Sequence, residues 1–140
     1  MPTVPWIRVG APDHPETLIM ASRLEVRSLR QVPGFFLASL RLLRQARRAP
    51  GALGVSLKAE LFKRTFWTVS AWNDKASIYA YSSAEPHKST MRRQRAVMRE
   101  STFIFWTMPA AQLPVAWDQV RERIAYERST GHDEHRNEPG

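Results

Sequence analysis

The run TLIMASRLEVR, Thr17 to Arg27, sets Leu18, Met20, Leu24 and Val26 at period two, the spacing of a strand with one face in a core. The next stretch changes period. From Val32 to Arg48 (VPGFFLASLRLLRQARR), Phe36, Leu40 and Leu43 follow at helical steps, Pro33 suits a first turn, and Pro50-Gly51 stops the helix. Alternation resumes at Leu53, Val55 and Leu57 within Ala52 to Leu61. Lys63-Arg64 offers a turn, and Thr65 to Trp72 (TFWTVSAW) is dense in β-branched and aromatic residues, so the two segments read as a hairpin. Asn73 or Asp74 can accept hydrogen bonds from the first free amides of a helix running to about Ser82. Pro86 restarts a helix that lasts to about Met98. Thr102 to Met108 (TFIFWTM) makes a fourth strand, and Pro114 to Tyr126, with Val115, Val120 and Ile124 among charges, closes as a helix.

The order is β-α-β-β-α-β plus a C-terminal helix, an α+β ferredoxin-like pattern in which helices cover one face of the sheet. The strands are apolar on both sides: Trp67 and Val69 oppose Phe66 and Trp72, and Ile104 and Trp106 oppose Phe103 and Phe105. A second copy of the sheet is the simplest cover for the other face, which predicts a twofold homodimer.

One domain is expected over residues 16–126. The 140 residues are 43% hydrophobic, enough for one core and too few for two ordinary domains. Residues 1–15 carry Pro at 2, 5, 12 and 15 and read as a tail without regular structure. Residues 127–140 read as a polar tail. Residues 16–126 hold 18 of the 21 basic side chains and 8 of the 13 acidic ones, so the positive charge belongs to the domain. Cys is absent, which removes disulfide frameworks, thiolate metal sites and thiol enzymes. The first residues fit neither a signal peptide nor a membrane helix, no later segment approaches bilayer length, and a cytoplasmic protein is expected.

His87 is the single histidine of the domain; His14, His132 and His135 fall in the tails. Steps of three and four from it reach Met91, Gln94 and Met98, a mostly apolar face. Two readings fit: a ligand or general base pointing into an apolar cavity, or a helix-start imidazole bonded to a backbone carbonyl. A metal held by side chains alone lacks ligands at the right spacing, whereas a porphyrin iron needs one ligand and an apolar slot. Trp67, Trp72, Trp106, Phe66, Phe103 and Phe105 crowd two strands and either fill the core or line a pocket for an apolar ligand. Arg41, Arg44 and Arg48 form one basic stripe and Arg92, Arg93, Arg95 and Arg99 another. Each reads as a solvated face or as a contact for ligand carboxylates or phosphates. Nucleic-acid binding is a minor reading, since helix-turn-helix, zinc-finger and RNP patterns are missing; the P-loop, GxGxxG and GxSxG motifs are missing too, which leaves nucleotide-fold and α/β-hydrolase chemistry without support.

Ala49-Pro50-Gly51, then Ser70-Ala71-Trp72, Ala76, Tyr81 and His87, then Glu100-Ser101-Thr102-Phe103, resemble the spheroidene monooxygenase family, a carotenoid-oxygenating branch related to the antibiotic-biosynthesis monooxygenases. The resemblance covers roughly Ala49 to Trp106. One departure is Asn73-Asp74, where the family tends to place Glu after the Trp. The resemblance implies a dimeric α+β barrel and an oxidoreductase, a monooxygenase using haem on an apolar small molecule. His87 would then be both proximal haem ligand and catalytic residue, with Arg41 and Arg44 near the propionates and Met91 beside the cofactor. Phe36, Leu40, Trp67, Trp72, Tyr81 and Trp106 would wall the substrate pocket. Related enzymes of the superfamily need no cofactor, and there His87 would serve as a base or hydrogen-bond donor to an aromatic substrate of polyketide type, in a monooxygenase or isomerase. A non-catalytic binding module is the third reading.

Overall fold

The computed structural model describes residues 3–137, with side chains through residue 130. Its strands are β1 (Thr3–Arg8), β2 (Glu16–Val26), β3 (Ala52–Glu60), β4 (Thr65–Trp72) and β5 (Met98–Pro109). The helices are α1 (Val32–Arg48), α2 (Lys75–Ser83), α3 (His87–Gln94) and α4 (Trp117–Asn137). The strands form one sheet in the order β1-β3-β4-β2-β5, every neighbouring pair antiparallel. With β1 set aside this is the expected α+β ferredoxin-like fold. No helix among the described residues is long and apolar enough to cross a membrane.

Local chemistry sets the boundaries. α1 begins with Pro33 in its first turn and ends where Ala49, preceding Pro50, turns extended. Gly51 then adopts φ +86°, a conformation open to glycine at little cost, and its carbonyl accepts the Asn73 amide at 2.9 Å. Of the two capping candidates, Asp74 caps α2: its Oδ1 accepts from the Ser77 amide at 2.8 Å and the Ser77 hydroxyl at 2.7 Å. Arg64 takes φ +56° at the hairpin between β3 and β4.

The sheet is packed on both faces. On one, Leu24, Phe66 and Met98 meet Val32 and Phe35 of α1, while Val55 and Trp72 meet Ala46 of α1 and Ile78 and Tyr81 of α2. On the other, Ile19, Ala21, Val69, Ile104 and Trp106 pack under Val120 and Ile124 of α4. Val120 and Ile124 are fully buried, and burial of such side chains is worth about 1.5–3 kcal/mol each.

This packing corrects the expectation that a second copy is the simplest cover for the sheet's other face: the chain's own α4 lies there. The polar tail is also corrected, since α4 continues through Asn137, and only residues 138–140 of that segment lie outside the described residues. Arg128 donates to both oxygens of Glu100, at 2.7 and 3.0 Å, and so ties this polar part of the helix to β5. The N-terminal tail is the third correction. Residues 3–8 form an edge strand on β3, with the register shifting between Val4 and Ile7 so that Pro5 falls where the ladder is already interrupted. The Trp6 indole lies over Gly54, where any Cβ would collide with its ring.

Two glycines should respond in opposite directions to the same substitution. At Gly51 a Cβ would collide with Ser77 and positive φ would be strained, so Gly51→Ala should cost about 1–3 kcal/mol. Gly34 in α1 has open space around it, and Gly34→Ala should add about 0.5–1 kcal/mol. Urea denaturation of the two variants measures both signs.

Candidate active site

His87 starts α3 directly after Pro86, and its ring enters the layer between the helices and the sheet. There it lines a narrow cleft of about 80 Å³, between α1 and α3 above and the sheet below. Leu42 and Ala46 of α1 and Met91 of α3 close the upper side; Met20, Val55 and Leu57 are apolar floor positions. Ser22, Thr68 and Ser70 are polar ones. Phe103, on the edge strand β5 and 45% exposed, stands at the cleft's outer end.

Most polar groups of the cleft are already engaged. The Ser22 and Thr68 hydroxyls bond to each other, Ser70 Oγ accepts from Trp72 Nε1 at 2.7 Å, and the Ser39 hydroxyl donates to the Phe35 carbonyl at 2.9 Å. His87 Nδ1 is the exception, buried and without a hydrogen-bond partner. Such a group is costly to leave unmatched, which marks it as a place where a ligand atom can be received. Burial pushes the His87 pKa below its ordinary 6.5 and outweighs the opposing influence of the Ser82 backbone. The imidazole is therefore neutral at neutral pH and able to accept a proton.

Tyr81 stands behind His87. Its ring meets the imidazole edge-on at 4.7 Å and the Trp72 ring at 5.1 Å, and its hydroxyl donates to the Leu42 carbonyl at 3.0 Å. Burial pushes the Tyr81 pKa up, so the phenol keeps its proton. The far side of Tyr81 faces a second and larger hollow between α1 and α2, of about 580 Å³, with Arg41, Arg44 and Arg48 along one side.

The residues expected at one site are divided by this arrangement. His87, Met91 and Tyr81 meet at the cleft; Trp72 is fully buried behind Tyr81 and supports it. Trp67 and Trp106 lie on the α4 face, because residues 67 and 106 have the opposite strand parity to Trp72 and Phe103. There Trp67 has the Arg23 and Arg121 guanidiniums over its ring, each at 5.6 Å, and Arg123 stands 4.6 Å from the Trp106 ring. Phe36 packs toward Phe66 in the core, and Leu40 lies at the surface of α1 beside Val4 and Ile7. Arg41 and Arg44 line the outer hollow, with Tyr81 between them and the cleft. The haem arrangement is thus not assembled, and a cleft of about 80 Å³ is too small for a porphyrin beside His87. Among the described residues there is no cluster of three metal-ligating side chains.

The cleft hydroxyls were missed as site residues. Their signal was present: Ser22, Thr68 and Ser70 interrupt apolar period-two patterns on the face that looks toward α1, where a hydroxyl needs a reason.

No protein-family model matches this chain, and no curated protein matches it. Solved structures do. A candidate antibiotic biosynthesis monooxygenase from Nitrosomonas europaea superposes with a TM-score of 0.61 at 13% identity, over 71% of this chain and 94% of that one. A variant of SnoaB, a cofactor-independent oxygenase from Streptomyces nogalater, gives 0.54 at 16% identity over 71% and 98%. A protein of unknown function, also from Nitrosomonas europaea, gives 0.60 at 20% identity over 74% and 99%. At these identities the likeness is one of fold.

The depressed His87 pKa has a consequence for stability. The unfolded chain takes up this proton at a higher pH than the folded one, so the contribution is complete above about pH 6.5 and is lost as pH falls through the folded pKa below it. The urea midpoint should drop more between roughly pH 7 and pH 5 for the parent chain than for His87→Gln. Parallel curves would show that His87 protonates equally in both states.

Proposed function

We propose that this chain is a cofactor-independent oxygenase acting on an oxidisable phenolic or enolic aromatic substrate, with His87 as its general base. The observation that carries the reading is the buried, unpartnered Nδ1 of a neutral imidazole in a cleft whose hydroxyls are otherwise engaged. Proton removal from an acidic O–H or C–H gives a phenolate or enolate. Such an anion is electron-rich enough to reduce O2 directly, so the protein's work is to remove the proton, orient the substrate and keep water out. The fold shared with antibiotic-biosynthesis monooxygenases, and with an oxygenase named as cofactor-independent, supports this choice over the haem-dependent alternative.

The size of the cleft limits what it can enclose. A cavity of 150 Å³ holds benzene, so about 80 Å³ suits O2 and the reacting edge of a ring, with the rest of the substrate lying outward over Phe103. A carotenoid does not suit it, since a long polyene needs a tunnel. Homodimerisation belongs to the same proposal: β5 is an edge strand, and Phe105 beside Phe103 is 55% exposed, an apolar lip that a second copy would cover.

Oxygen uptake with an electron-rich polycyclic phenol tests the reading. His87→Gln should lower the rate by roughly 10²-fold or more, the range for loss of a general base, whereas Met91→Leu should change it by less than about tenfold. Equal rates for His87→Gln and the parent chain would remove His87 as the base. A Soret band on haemin addition that vanishes in His87→Ala would instead restore the haem-dependent reading.

A further inference from the structure

The larger hollow between α1 and α2 lies outside the His87 cleft and takes no part in its proton chemistry. Its volume, about 580 Å³, falls within the range of small-molecule sites, about 300–1,000 Å³, whereas the His87 cleft does not reach it. Its chemistry is divided. Arg41, Arg44 and Arg48, three and four residues apart, present guanidiniums from one side of α1. Pro50, Ala80, Tyr81 and Ala84 supply a mostly apolar floor.

Those three arginines also lack the carboxylate partners that four other arginines have. Arg23, Arg99, Arg121 and Arg128 all pair with Glu25, Glu60 or Glu100 around β2, β3 and β5. Among the described residues no carboxylate forms an ion pair with Arg41, Arg44 or Arg48. Glu85 lies at the same hollow without reaching them. A row of unpaired guanidiniums beside an apolar floor is matched by a molecule with an anionic end and a flat or ring-sized apolar body. Guanidinium and carboxylate share planar, two-pronged geometry. Bare phosphate would leave the floor wet, and a nucleic-acid backbone would follow the stripe and ignore the hollow.

We propose that this hollow is a binding site for an organic carboxylate with an apolar, ring-containing body, held by Arg44 with Arg41 and Arg48. It is distinct from the His87 cleft, with Tyr81 as the wall they share, and it does not rest on the oxygenase reading.

Calorimetric titration of the full chain with 2-naphthoate tests it without any turnover, so its result is independent of the oxygen-uptake assay. The parent chain should bind 2-naphthoate and should bind 2-acetonaphthone, a neutral molecule of the same shape, about tenfold or more weakly. Arg44→Gln should weaken 2-naphthoate about tenfold, and Arg41→Gln/Arg44→Gln/Arg48→Gln should abolish measurable binding. Arg92→Gln/Arg93→Gln, which removes two positive charges from α3, more than Arg44→Gln removes, should leave it unchanged. Ala80→Trp, at an exposed position of α2, should fill the hollow and block binding. Glu85→Gln should tighten binding by removing a like charge. No binding by the parent chain, equal affinity for the neutral molecule, or full affinity in the triple variant would overturn the proposal. So would displacement of 2-naphthoate by inorganic phosphate or by a short DNA duplex at equal concentration, which would show a general anion face. Circular dichroism of each variant separates lost binding from lost folding.

Discussion

A sheet covered on both faces leaves its inner strands no solvent side, and every polar group placed on them must find its partner inside the protein. That constraint governs the region beneath α1. Ser22 and Thr68 satisfy each other across neighbouring strands, and Ser70 receives the Trp72 indole. The cleft survives at this point because hydroxyl-bearing residues are shorter than the Phe, Leu and Trp side chains that fill the same face on either side. Met20, Leu24, Phe66 and Trp72 bracket them along β2 and β4. A small, polar-lined gap in an otherwise filled layer, with one imidazole nitrogen left over, is what the reading of a proton-accepting site stands on.

Tyr81 converts that gap into two environments. Its ring is held by Trp72 on one side and by the hydroxyl's bond to Leu42 at its tip, so the wall between cleft and outer hollow is fixed from both ends. Removing the hydroxyl would leave the Leu42 carbonyl without this donor; removing the ring would join the two spaces. The same ring supplies the apolar edge against His87 that keeps the imidazole dry, and dryness is the cause of its lowered pKa. Packing, electrostatics and partition therefore meet in one side chain.

The sequence made the element order legible because each element announces itself locally: period two from Leu18, the Pro50-Gly51 stop, the Asp74 cap, the aromatic run from Phe103. What it hid depends on tertiary context. Pro5 argues against a strand until Trp6 is seen lying over Gly54, a contact between residues far apart in the chain. Arg128 looks like a tail residue until Glu100 of β5 stands opposite it. Strand parity was available from the numbers alone: residues 67 and 72 cannot point to the same face of an unbroken strand, so Trp67 and Trp72 could not share a pocket. On α1 the inward line is Val32, Phe35, Leu42 and Ala46, turned from the line through Phe36 and Leu40. An apolar helix with bulky residues on more than one side does not by itself declare which one is buried. His87 was legible as a candidate, whereas its orphaned nitrogen and its separation from Arg41 and Arg44 were not, since both depend on where the Tyr81 ring falls.

The excess of positive charge also resolves into parts once the fold is known. Arg23, Arg99, Arg121 and Arg128 are drawn to three glutamates and help hold α4 and the sheet edge together. Glu60 shows the effect most clearly. Burial raises its pKa, but hydrogen bonds from Trp67 and Lys63 and the charges of Lys63 and Arg121 outweigh that and bring it below the ordinary carboxylate value. The ion pairs of these arginines with Glu25, Glu60 and Glu100 all lie on this side of the sheet. On the other side the α1 arginines line the outer hollow with no carboxylate paired to them, and an uncompensated row of guanidiniums repels itself and raises the free energy of the folded chain. A solvated surface could dilute the row by spreading it around the helix. Here the three- and four-residue spacing concentrates it on one side, beside a concave apolar surface, and an anion placed there relieves the repulsion while the floor covers the rest of the molecule.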